Sequence, residues 1–366
     1  MIELKAPIIV DFEITNRCPY RCIFCEADIP NIKSINEMST KHCLYVLEKL
    51  AKAEVFDVFL TGGEPLMRDD LPKLIKHCFN IGLEPCISTN AFYLDEERLE
   101  KIVNAGLDHI QISIQGPELI HESIVKKPGS YSRVMKNLEK AIEIGCRVEV
   151  TCVGLKENFK YIPILLKEVA SVGVRKFRVL RYVPSHRKDM LKHIPPREIV
   201  MKYIPIIKET AKKHNIDLLL GTPPGLYPSS YSSVDMIYEG VHPTIYTCPA
   251  GKTEFDILPN GDVYPCMSFK NKPEMYCGNI LEKSVYELWN SKPMRMLRQL
   301  TPADYTGICG QCKRKWTCYS CRCVAYNLTG DLYGDDLTCY IVREKLGLIE
   351  TEEDSLEALD FHCKCE

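Results

Sequence analysis

From residue 8 to about residue 215, short apolar runs alternate with stretches in which apolar residues recur every three or four positions. The short runs read as strands: Ile8–Ile14, Val55–Leu60, Pro85–Ser88, His109–Ile114, Arg147–Thr151 and Lys176–Leu180. The stretches between them read as amphipathic helices. Over Asp95–Ala105, Leu99, Ile102 and Val103 share a face, with Asp95 as N-cap and Gly106 just past the end. Ser130–Ile144 puts Val134, Leu138, Ala141 and Ile142 on one side and stops at Gly145. A further helix after Asn158 buries Phe159, Ile162, Leu165, Leu166 and Val169 and ends before Gly173. Pro195–Asn215 reads as another, which Pro205 is expected to kink or split.

Six strand–helix units in succession predict an α/β fold with a parallel sheet, because parallel neighbours need crossover connections. The sheet is expected to curl into a full or partial barrel, although periodicity does not separate a barrel from an open sheet. In both, ligands belong at the carboxyl ends of the strands. The segment GTPPGLYPSSYSSVD, Gly221–Asp235, reads as a linker or ordered loop between two domains. The expected division is a core over 1–220, a linker over 221–245, a cysteine-rich domain over 246–345 and a tail over 346–366.

Hydrophobic residues make up 45% of the 366 positions and charged ones 26%, which supports a substantial core rather than disorder. Lysine plus arginine total 47 against 49 acidic residues, with no basic block, so neither nucleic acid nor a membrane surface is an expected partner. No apolar run has the length to span a bilayer. The N-terminus reads as a first strand and not as a signal peptide, and a cytoplasmic location with reduced thiols is expected.

Nineteen cysteines change this picture. Their number is odd and they are clumped, which favours metal ligation over disulfides. Three lie in TNRCPYRCIFCEA, at Cys18, Cys22 and Cys25, directly after the first strand. Cubane iron–sulfur clusters take one thiolate per iron. Three thiolates therefore leave one iron open for chemistry, as a catalytic zinc keeps one position open. The alternative is a zinc site completed by a distant residue such as His42 or Cys43. A second group comprises Cys248, Cys266, Cys309, Cys312, Cys318, Cys321, Cys323 and Cys339, and its spacing alone also suits a pair of zinc ribbons.

CPYRCIFC resembles the CxxxCxΦC signature of the radical S-adenosylmethionine (SAM) superfamily, with Phe24 as the aromatic Φ. The resemblance covers residues 8 to about 215 and implies a partial (β/α)6 barrel. It implies that Cys18, Cys22 and Cys25 hold a 4Fe–4S cluster whose open iron binds SAM, and that reductive cleavage of SAM yields a 5′-deoxyadenosyl radical. LTGGEPL resembles the family's GGE motif, so that Gly62, Gly63 and Glu64 are expected to bind the cofactor, Glu64 through its ammonium group. Ser88, Thr89 and Asn90 in CISTN, and Ser113 and Gln115 in QISIQG, are the implied further contacts.

The later cysteines resemble a SPASM domain, whose pattern holds two auxiliary 4Fe–4S clusters, making three in all. GNILEKSVYELWNS resembles the family's segment between its two cysteine groups. The resemblance assigns Cys309, Cys312, Cys318 and Cys339 to one cluster. Cys248 and Cys266 go to the other, completed by Cys321, Cys323 or both, because the family's step ends on Arg322. Cys43, Cys78, Cys86, Cys146, Cys152 and Cys277 read as buried hydrophobes, and Cys363 and Cys365 as part of a frayed tail. His121 and His242 receive no role, and nothing local marks Asp262 or Tyr264 as a base.

The implied activity is oxidative modification of a peptide or protein. The alternative is a small molecule such as a tetrapyrrole or cofactor precursor, and a competing class is a non-catalytic iron–sulfur or zinc protein. No leader-binding domain is expected before the first strand. Met267, standing where the sulfatase-maturating branch carries an aspartate, points away from formylglycine formation. An electron donor such as ferredoxin or flavodoxin is the implied redox partner.

Overall fold

The structure is a computed structural model, and it describes residues 4–26, 36–107, 109–184, 188–226, 248–270, 272–316, 318 and 320–348. Strand and helix alternate as β1 (Ile9–Thr15), α1 (Thr40–Lys52), β2 (Asp57–Gly62), α2 (Leu71–Asn80), β3 (Glu84–Thr89) and α3 (Glu96–Asn104). They continue as β4 (His109–Ser113), α4 (Glu118–Val125), α5 (Ser130–Glu143), β5 (Arg147–Gly154), α6 (Ile162–Ser171), β6 (Lys176–Arg181), α7 (Arg197–Lys213) and β7 (Asp217–Leu220). All six expected strands occur with ends shifted by a few residues, and Asp95 caps α3 by accepting from the Arg98 N–H. Pro205 does not split α7. It lies on the exposed side, where water can satisfy the carbonyl that loses its N–H partner.

Three short strands follow: β8 (Glu254–Ile257), β9 (Asp262–Tyr264) and β10 (Gly278–Asn279). All ten form one sheet in the order β10-β9-β8-β1-β2-β3-β4-β5-β6-β7. The sheet is parallel from β8 to β7 and has two edges, so it does not close into a barrel. The sequence reading missed β7 and β8, each four residues long and too short to show a period. Because β8 pairs with β1, the core sheet continues into the cysteine-rich region. The start of the expected linker is itself packed: a Cβ on Gly225 would sit 2.8 Å from Cys339 Sγ, and the Tyr340 N–H donates to Pro224 O. The rest of that segment lies outside the described residues.

One face of the sheet builds the core. Val10, Phe12, Val58, Leu60, Ile87, Ile110, Val150, Phe177 and Phe255 pack with the apolar sides of α1 to α7. The family-like segment belongs to the same core, where Ser284 and Glu287 form a capping box and the buried Trp289 donates to Leu4 O. The opposite face is polar, since successive strand residues point to opposite sides. It carries Asp11, Glu13, Gln111, Ser113, Glu149, Thr151, Arg178, Glu254 and Asp256, with Asp11 registered against Asp256. Burial lifts the carboxyl of Asp11 to about 6, Glu13 to about 7 and Glu254 to about 8, and holds Asp256 well above the ordinary range.

Two expectations follow for the cluster-free protein. These carboxyls bind protons more tightly in the folded than in the unfolded chain. Their contribution is therefore complete below about pH 4 and is lost as pH rises through about 6 to 8. The urea midpoint should fall between about pH 5 and about pH 8; a midpoint that rises over that range contradicts the assignment. Separately, the buried Asn158 donates to Gln115 O and Val153 O and accepts from the Leu155 N–H. Asn158→Leu should lower unfolding free energy by about 2–3 kcal/mol, measured by urea titration.

Candidate active site and cysteine centres

Cys18, Cys22 and Cys25 lie in the loop that leaves β1, at the carboxyl end of the sheet. That loop is pinned from three directions. The N–H groups of Gly63 and Glu64 donate to Thr15 O and Arg17 O at 2.7 and 2.8 Å. The N–H groups of Arg21 and Ile23 donate to Val125 O and Ile124 O at the end of α4. Glu37 accepts from Thr15 Oγ1 and the Asn16 N–H. Phe24 is half-buried against the core.

The GGE stretch acts on this loop first. A Cβ on Gly62 would fall 2.3 Å from Thr15 O, and one on Gly63 would fall 2.3 Å from Arg17 O. Gly62 also holds φ at +124°, a conformation open to glycine. The close approach expected from these glycines is therefore made to the cysteine loop itself. Glu64 is fully buried, and its carboxylate accepts from Thr89 Oγ1, the Leu66 N–H and the Asn90 N–H. Burial raises its pKa to about 7 against those hydrogen bonds. Glu64 thus locks the end of β2 to the end of β3.

Asn90 in turn directs its Nδ2 at Cys18 Sγ, 3.7 Å away. Gln115 is buried, accepts from the Val153 N–H and donates its own N–H to His121 Nδ1. Burial lowers the pKa of His121 to about 4, so the ring is the neutral acceptor that this bond requires. Ser88 and Ser113 stay half-buried on the polar face, Ser113 in contact with Thr151. Of the expected cofactor contacts, Ser88 and Ser113 are half-buried, whereas Glu64, Thr89 and Gln115 are committed to the framework.

The eight cysteines of the second group sort into two sets of four. Cys309, Cys312, Cys318 and Cys339 line one recess with Tyr305, Ile308 and Val342. In the other set Cys266 is hydrogen-bonded to Cys323, while Cys248 and Cys321 lie within electrostatic reach of Cys266. Gly261 explains the spacing of this second set: it turns β8 into β9 at φ +90°, and Cys266 follows β9. Arg322, between Cys321 and Cys323, is a buried strut that stacks on Tyr305 and donates to Gly334 O. Asp262 is held by Asn260 and Asn279 within the turn.

The donor sets fit iron–sulfur clusters. A zinc ion draws its thiolates to about 2.3 Å from one centre, and among the described residues no three His, Cys, Asp or Glu side chains converge in that way. Thiolates of a cubane bind different irons and stand farther apart. The zinc alternative for the first loop loses its partners as well: Cys43 is buried in the core and His42 is exposed on α1. Burial raises Cys18, Cys248, Cys318 and Cys321 to about 12, so that loading a cluster must displace protons. Cys78, Cys86, Cys152 and Cys277 are buried as expected, and His242, Cys363 and Cys365 lie outside the described residues. What the sequence reading overlooked is the row of acids on the polar face, although the charged residues at every second position of IVDFEIT announce it.

Comparison with known proteins agrees with this geometry. Residues 12–169 match the radical SAM superfamily and residues 248–313 match the SPASM iron–sulfur cluster-binding domain. The chain is 28% identical to a PqqA peptide cyclase of Rhizobium meliloti (strain 1021) over 92% of this chain and 88% of that protein. It is 25% identical to an AdoMet-dependent heme synthase of Methanosarcina barkeri, over 92% and 97%. In fold it is similar to Streptococcus suis SuiB bound to precursor peptide SuiA (TM-score 0.74, 19% identity, 92% of this chain and 77% of that one). It is likewise similar to native anSMEcpe with bound AdoMet (TM-score 0.70, 15% identity, 93% and 96%). No helix among the described residues is long and apolar enough to cross a membrane. The chain belongs to the radical SAM superfamily of enzymes with a C-terminal SPASM domain, and its cofactors are 4Fe–4S clusters and SAM.

Proposed function

We propose that this enzyme oxidatively modifies a peptide or protein substrate. The observation that carries the reading is an inequality of donors: three thiols in the β1 loop, against four in each of the other two sets. When bound, the first cluster and SAM supply a 5′-deoxyadenosyl radical that removes a hydrogen atom from the substrate. Cys18, Cys22 and Cys25 hold that cluster, and Asn90 orients Cys18 by its N–H···S contact. Gly62 and Gly63 keep the loop against β2, and the half-buried Ser88 and Ser113 are the side chains assigned to meet SAM. Cys309, Cys312, Cys318 and Cys339 hold one auxiliary cluster. Cys248, Cys266, Cys321 and Cys323 hold the other, with both flanking cysteines used, which the bond between Cys266 and Cys323 supports.

A peptide substrate is supported by the similarity to PqqA peptide cyclases and by the fold shared with peptide-bound SuiB. The similarity to an AdoMet-dependent heme synthase supports the small-molecule alternative. The division into a core over 1–220, a linker over 221–245, a SPASM domain over 246–345 and a tail over 346–366 belongs to the same reading. So do a ferredoxin or flavodoxin as electron donor and a cytoplasmic location, which keeps the thiols reduced.

Anaerobic reconstitution should load about twelve irons per chain, and reduction with SAM should then yield 5′-deoxyadenosine. Cys22→Ala should abolish that product and retain about eight irons. Tightly held zinc without iron would sink the reading. Gly63→Ala should also lose about four irons, because its methyl group collides with Arg17 O and lifts the cysteine loop; iron analysis with full retention would show that the loop tolerates the shift.

A further inference from the structure

Four carboxylates share the polar face of two adjacent strands: Asp11 and Glu13 on β1, Glu254 and Asp256 on β8. The parallel register sets Asp11 directly against Asp256, and Glu254 against Ile9. Like charges placed opposite one another weaken a sheet, and burying carboxylates weakens it further. Glu13 is fully buried and Asp256 is 3% exposed. Neither oxygen of Glu13 has a hydrogen-bond partner, nor does Asp256 Oδ1. Among the described residues, the ion pair recorded for this group is Lys270 with Glu13, at a long 3.8 Å. All four are displaced upward by burial, and Glu13, Glu254 and Asp256 by Asp11 as well.

The group lies between the reactive centres. Glu13 and Asp11 are within electrostatic reach of Glu26, next to Cys25, and Asp256 is within reach of Cys266. Tyr264 is registered against Asp256, and Cys266, two residues on, leaves β9 on that same face. A metal ion does not suit these acids, because among the described residues no three converge on one point. An organic cation carried on an apolar stem, which reaches the acids one or two at a time, does suit them.

We infer that Asp11, Glu13, Glu254 and Asp256 bind a basic side chain, lysine or arginine, of the peptide substrate between the two cysteine groups. This rests on the peptide-modifying reading above. It adds a specificity: beyond the single long contact from Lys270, such a side chain supplies the positive charge these acids lack, so the same acids that strain the empty sheet select the substrate.

The test uses the reconstituted enzyme saturated with SAM, which removes SAM itself as the bound cation. Nα-acetyl-lysine amide, Nα-acetyl-arginine amide and Nα-acetyl-norleucine amide are titrated calorimetrically. One or both basic amides should bind at least about tenfold more tightly than the norleucine amide, and the stronger arm names the side chain. Asp11→Asn/Asp256→Asn should remove most of that preference. The double variant relieves repulsion, so it should also melt higher, and loss of folding is not the expected outcome. Equal affinity for all three amides, no binding of any, or an unchanged preference in the double variant would overturn the inference. Formation of 5′-deoxyadenosine by the wild type is measured in parallel: its absence defeats the radical reading, while its presence without charge preference defeats this inference alone.

Discussion

Strand β1 is hydrogen-bonded to parallel partners on both sides, β2 and β8, and the site depends on that arrangement. The cysteine loop is the direct continuation of β1. The glycine pair that seats it is the continuation of β2, and the hairpin leading to Cys266 is the continuation of β8. Three segments remote in sequence are therefore delivered to one region by backbone pairing alone. Close packing of Gly62 and Gly63 on Thr15 and Arg17 then sets the loop's height above the sheet. No side chain larger than hydrogen fits there without moving the loop, and the thiols would move with it.

Around this framework the polar groups are divided by task. Glu64, Thr89, Asn90, Gln115, His121 and Asn158 form chains of buried hydrogen bonds that tie the ends of β2 to β3 and of β4 to β5. Buried hydrogen bonds of this kind rigidify the elements they join, although His121 Nε2 itself has no hydrogen-bond partner. The carboxylates on the polar face are the opposite case: buried, mutually repulsive and short of donors. Rigidity at the strand ends and stored repulsion on the strand face both suit a site that must hold a reactive intermediate away from everything but its substrate.

The alternation of strands and helices was legible because the apolar period of each element is a local property. Asp95, Gly145 and Gly173 marked helix limits for the same reason. The three clumped cysteines were legible too, since ligand spacing within one loop is written in the chain. The GGE and CISTN residues read as ligand contacts, and three of them, Glu64, Thr89 and Asn90, also bond one another inside the fold, because strand ends must satisfy their own polar groups. Pro205 was expected to interrupt α7 and does not, since its exposed position lets water take the vacated carbonyl.

By itself the sequence determined the α/β order, the cysteine loop after the first strand and the existence of a second cysteine-rich region. Which thiols meet was decided in three dimensions: Cys339 reaches Cys309 and Cys312 in their recess, Cys323 is hydrogen-bonded to Cys266, and Cys321 lies within electrostatic reach of Cys248 and Cys266. The pairing of β8 with β1, and with it the confrontation of Asp11 and Asp256, also belongs to the tertiary structure. The physical reason is range. Period and spacing are set by neighbours along the chain, whereas strand pairing joins residues more than two hundred positions apart, through backbone groups that every sequence shares.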